Sequence, residues 1–234
     1  MQVYPTRYTD KFGSVDTSIV NDFQEGNAGS LSLEIDGVKF KGTSFDDFIL
    51  INKEKHTKEE LKRFAFAQLN IYGSDNYVFS LCDCTLEFSI PILLYKKNNI
   101  ETIPGTLDIQ LSLGRALNRG AVEFEEAGFS LKFAGKNLKS NKDFFETGFL
   151  DIKKQVNGEL TLKNCFTCLY SDYHPIGNSF FGSMMCFKNN KEDYLKVKDK
   201  ISFLKLAEKE FIYVQETYCC PEYKTRQTNI GYRG

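Results

Sequence analysis

The sequence predicts a mainly β protein with some helix: an N-terminal antiparallel β-sandwich over residues 1–140, joined to a small α+β, zinc-stapled region over 141–234. Three observations carry this. Short runs of alternating apolar and polar residues, split by Gly, Asn and Asp, fill the first part. Near residue 140 the apolar period lengthens toward that of a helix. Five of the seven cysteines then fall after residue 160.

The segment SLSLEIDGVKFKG alternates Leu31, Leu33 and Ile35, turns at Asp36-Gly37, and alternates again through Val38 and Phe40. That is a hairpin signal, because Asp-Gly accepts the positive φ of a tight turn. FAFAQLNIYGSDNYVFSLCDCTLEFSIPILLY repeats the pattern with GSDN as its turn. GTLDIQLSLG and FSLKFAGKNL continue it. Pro91 has no N–H to donate to a ladder, which places its strand at an edge or a bulge. One short helix is expected at HTKEELKRF, where Thr57 and Glu60 have capping-box spacing.

After residue 140, SNKDFFETGFLDIKKQV offers Asn141 as a cap and Phe145, Phe149 and Ile152 on one helical face, with Gly148 weakening the pattern. GELTLKNC reads as a strand and Asp199 to Lys209 as a helix with Ile201, Leu204 and Ala207 inward. EFIYVQETYCC reads as a further strand. No low-complexity linker separates the two parts, so they can share one core.

The charge is balanced, with 30 Lys and Arg against 31 Asp and Glu. Residues 187–234 carry ten basic and seven acidic side chains, too mild a surplus for a nucleic-acid reader. The start MQVYPTRYTDKFGS lacks the basic flank and apolar run of an export signal, and no run approaches the ~20 apolar residues of a membrane helix. A cytoplasmic protein is therefore expected, with no membrane partner. In that reducing setting an odd number of cysteines argues for metal or thiol chemistry over a disulfide framework.

The pattern is Cys165-x2-Cys168, then Cys186, then the vicinal Cys219 and Cys220. A C-x2-C turn aims two thiolates to one side, and Zn²⁺ takes four N or S ligands in a tetrahedron. The expected ligands are Cys165, Cys168, Cys186 and Cys220, because Cys220 precedes Pro221, where the chain leaves its strand. Cys219 or His174 could replace one of them. A redox pair at Cys165 and Cys168 fits less well, since the segment runs into a polar turn instead of opening a helix. Cys186 also reads as a small buried core residue. Cys82 and Cys84, at strand spacing, read as core.

Four thiolates saturate a zinc ion, and neither histidine lies in an H-x-E or H-E-x-x-H frame. The expectation is a non-catalytic protein with structural zinc and a protein partner. Tyr170, Tyr173, Tyr218, Tyr223 and Tyr232 read first as core side chains and, where exposed, as anchors for that partner. The competing reading is a zinc- or thiol-dependent enzyme using the cysteines with His174, Asp172 completing a triad.

Overall fold

In the computed structural model, residues 1–26, 30–70, 76–96, 101–118, 120–156, 160–228 and 230–231 are described. The protein is mainly β, and its principal feature is a 12-stranded antiparallel sheet. The strands are β1 Gln2–Asp10, β2 Gly13–Asn21, β3 Leu31–Ile35, β4 Val38–Gly42, β5 Ile49–Leu50, β6 Ala65–Asn70, β7 Tyr77–Cys82 and β8 Cys84–Lys96. They continue with β9 Thr102–Leu113, β10 Glu125–Phe133, β11 Lys136–Lys139 and β12 Leu160–Leu162. Their order is β11-β10-β9-β8-β1-β2-β3-β4-β5-β7-β6, with β12 beside β8.

Two packed sheets were expected, and the strands instead form one continuous sheet. The reason is the β1–β2 hairpin, which links β8 on one side to β3 on the other. Its sequence signal is the buried alternation Tyr4, Thr6, Tyr8 in YPTRY. The sheet curves far enough that Phe45, between β4 and β5, reaches Phe88 of β8, with ring centroids 4.7 Å apart.

Pro91 lies inside the sheet instead of at an edge. It pairs with Thr106 of β9 on one side. On the other, β1 pairs only over Thr85 to Phe88 and β12 begins at Leu94, so the ring sits in the gap between two partners. Pro5 bounds the same gap from β1, whose ladder with β8 starts at Thr6. Two prolines thus end one ladder where neither N–H is needed.

The Asp36-Gly37 turn forms with φ of 49° and 81°. Thr57 and Glu60 complete their capping box on α1, Lys58–Leu61, a single turn. Residues 73–75 of the GSDN turn lie outside the described residues. Cys82 and Cys84 do not share a strand: Asp83, with φ of 51°, makes a corner between β7 and β8. Both cysteines are buried, as expected for core packing.

Helix α2, Phe145–Gln155, begins after Phe144, later than an Asn141 cap would place it. Phe145, Phe149 and Ile152 are buried against the sheet. Gly148 is a point of close approach: a Cβ there would stand 2.7 Å from the Phe129 ring of β10. Gly148→Ala is therefore expected to destabilise the fold. Overpacking costs about 1–3 kcal/mol, and alanine's helix preference returns only about 1 kcal/mol. The net loss should lower the melting temperature by about 2–4 °C. An unchanged or raised melting temperature would show that the Phe129 ring yields freely.

The remainder builds a 3-stranded sheet of β13 Ser171–Asp172, β14 Met184–Cys186 and β15 Ile212–Val214, with helices α3 Lys191–Tyr194 and α4 Lys200–Ala207. The expected strand EFIYVQETYCC is only three residues long as β15, so the vicinal cysteines follow it in irregular chain. Asp199 caps α4, but its inward face is Phe203 and Leu206, and Ile201 is 68% exposed. The main core draws Phe166, Phe180, Phe181 and Met184 from beyond residue 140 in with the sheet's inner face. Phe181 stacks on Phe45 at 4.3 Å. A smaller cluster of Phe187, Tyr194, Phe203 and Leu206 packs beside it.

Candidate functional site

The cysteine-bearing loop is fixed by its own hydrogen bonds. Asn164 accepts from Thr167 N at 3.2 Å, closing a 3-10 turn over Cys165–Thr167. Cys168 N then donates to Cys165 O at 3.1 Å. This turn is stitched to the chain that carries Cys219 and Cys220: Cys165 N donates to Tyr218 O, and Leu169 N to Lys224 O. Cys186, at the end of β14, pairs with Ser171 of β13. Three separate segments thereby bring their cysteines toward one region.

Cys165, Cys168, Cys186 and Cys220 are all buried, and Cys219 is half-buried. Burial raises the Cys165 thiol well above its ordinary pKa, and charges on Cys168, Cys186, Cys220 and Cys219 raise it further. Burial likewise pushes Cys186 up to about 11, opposed by a hydrogen bond from the Lys188 backbone N–H. Cys220 is raised by burial and relieved by the Glu222 backbone N–H. In both, the amide two residues on points at the sulfur, an arrangement that favours thiolate over thiol. Lys188 adds a cation beside Cys186 and Cys220 and is itself paired with Glu25.

The sulfurs do not form a closed shell as they stand. Among the described residues, no three His, Cys, Asp or Glu side chains are grouped closely enough to hold a metal ion. Proximity of four thiols is present; convergence is not.

His174 is half-buried and accepts from Ile176 N through Nδ1 at 3.3 Å. Asp172 is fully buried, accepting from Tyr173 N at 3.0 Å and Tyr194 Oη at 3.1 Å, with Arg226 Nη1 at 3.6 Å. Its role is thus to hold α3 and the 226 segment to β13. Tyr170 and Tyr173 are buried, which removes them as surface anchors. Tyr218 and Tyr223 are half-buried, and Tyr232 lies outside the described residues.

The sequence reading missed a buried polar seam. Asn21 and Gln215 exchange amide hydrogen bonds of 2.7 and 3.1 Å, and Asn21 also donates to Tyr4 Oη at 3.0 Å. Glu216, fully buried, accepts from Tyr173 Oη at 3.0 Å and Gly182 N at 2.7 Å. Nothing local in VQET marks these as interior; their partners are remote in sequence.

A curved all-antiparallel sheet bearing a helix and a cysteine-rich appendage defines the class: a mainly β protein whose concentration of thiols lies outside the sheet. The chain belongs to a family of unknown function (DUF6304), whose model matches residues 2–171. That match takes in the whole sheet and the Cys165 and Cys168 turn, and stops before Cys186 and Cys220. No curated protein and no solved structure matches the chain.

Proposed function

We propose that Cys165, Cys168, Cys186 and Cys220 hold a structural zinc ion, and that the metal fixes the C-terminal region as a non-catalytic, protein-binding surface. The observation that carries this reading is four buried thiols, from three segments, each of Cys186 and Cys220 facing a backbone amide two residues on. Rotation about each Cα–Cβ bond moves a sulfur while leaving the backbone in place. Bound zinc would hold the thiolates in the charged form that burial alone opposes, and its binding energy would add to folding. Cys219, half-buried, is left outside the ligand set, and His174 is occupied with its own turn.

With Tyr170 and Tyr173 inside, the partner-facing groups in this reading are the exposed apolar side chains Ile176, Leu195, Ile201 and Tyr213. The test is elemental analysis of protein purified without added metal, combined with thiol titration. About one zinc per chain is expected, with four thiols unreactive until a chelator is added. Metal-free protein that keeps its fold, with thiols indifferent to chelator, would overturn the reading.

A further inference from the structure

Two carboxyls far from the cysteines are placed face to face. Asp46 lies in the connection between β4 and β5, and Glu125 is the first residue of β10. Both line a cleft of about 440 Å³, and their side chains engage each other there. Asp47, whose carboxylate is held by Thr43 N, Thr43 Oγ1 and Ser44 N, adds a further negative charge to the pair. From β6 and β7 the cleft receives only the uncharged Ala67, Leu69 and Ser80. The β9–β10 connection lines it with Gly120, Ala121, Val122 and Phe124, and its Glu123 is paired with Arg115.

The pair is wired to the C-terminal region. Ser44 Oγ donates to Asp46 and accepts from Phe181 N at 2.9 Å. Phe45, next in the chain, is the ring on which Phe181 stacks. Whatever displaces Asp46 therefore loosens the seat of Phe181 in the core.

We propose that Asp46 and Glu125 form a proton-operated latch. While they share one proton, they hold the β4–β5 connection, and through Ser44 the Phe181 segment, against β10. Release of that proton to solvent leaves two facing carboxylates beside Asp47, and the cleft opens.

The direction follows from the groups' surroundings. Burial, then the Asp46 charge, pushes Glu125 up to about 7, and burial raises Asp46 as well. For Glu125 the folded state therefore binds more protons than the unfolded chain above pH ~4.5. The stability it contributes is complete below that value and is lost as the pH rises through about 7.

Hydrogen exchange of the full-length protein, read by mass spectrometry and corrected for intrinsic rates, tests this. Between about pH 5 and pH 6 the wild type is expected to exchange up to about tenfold faster at residues 43–48 and 180–182, since opening there tracks loss of one proton. The rate should level off above about pH 7, where Glu125 is already ionised in the closed state. Glu125→Gln keeps a donor toward Asp46 at every pH and should remain protected throughout. Asp46→Asn, which removes the like charge, should flatten the profile too. Melting curves at about pH 6 check that both variants are folded. Wild-type protection independent of pH, or an unaltered pH profile in Glu125→Gln, would overturn the latch.

Discussion

Arg63→Ala is expected to destabilise the protein by about 3 kcal/mol, because it strands a buried charge. Arg63 Nε donates to Asp10 Oδ2 at 2.7 Å and Nη2 to Oδ1 at 3.3 Å, a two-pronged grip on a side chain only 2% exposed. The same guanidinium reaches Asp36 at 2.8 Å and Gly13 O at 2.8 Å, and lies over the Tyr8 ring. It thus ties the segment after α1 to two hairpin ends. In a chain of this size the melting temperature should fall by about 6–12 °C. Asp10→Asn in the same background should recover at least about 1 kcal/mol by removing the unpaired charge. If the single variant lost less than about 1 kcal/mol, the grip would be of the weak surface kind.

Phe145→Ala should cost about 3–5 kcal/mol, the usual range for deleting a buried ring. Phe145 is fully buried, with ring centroids 5.0 Å from Phe129, 5.6 Å from Phe149 and 5.2 Å from Phe181. It is the point where α2, β10 and the C-terminal region meet. A loss of this size is a large fraction of the ~5–15 kcal/mol that stabilises most domains. The urea midpoint should drop sharply with an unchanged slope, since the surface exposed on unfolding is the same. Phe145→Leu should retain most of the stability; equal losses in both variants would show that ring contacts, not filled volume, dominate here.

Much of the architecture was legible because it rests on local rules. The Asp36-Gly37 hairpin and the Thr57 and Glu60 box each follow from a few adjacent residues. The inward face of α2 follows from spacing alone. What was not legible depends on partners remote in sequence. Gly148 looks like a helix fault until Phe129 is seen beneath it. Pro91 looks like an edge signal until Pro5 is seen to end the same ladder. For α4, Phe203 and Leu206 won over Ile201 because Phe187 and Tyr194 were already in place to receive them. At the cysteines, spacing suggested a ligand set, but among the described residues no three His, Cys, Asp or Glu side chains are grouped closely enough to hold a metal; the geometry of a shell lies below what spacing encodes.

The Asn21–Gln215 amide pair joins residues 194 positions apart, and through Asn21 it reaches the β1–β2 hairpin at the middle of the sheet. The consequence is one of timing. During synthesis the hairpin emerges well before the amide it is shaped to meet and before Phe181, which covers the same core. At ~5–20 residues per second, the sheet's inner face waits on the order of ten seconds or more for its cover. Over that interval its apolar surface depends on whatever else in the cell can shield it, so the nascent chain, and not the finished protein, is where this fold is most exposed to aggregation.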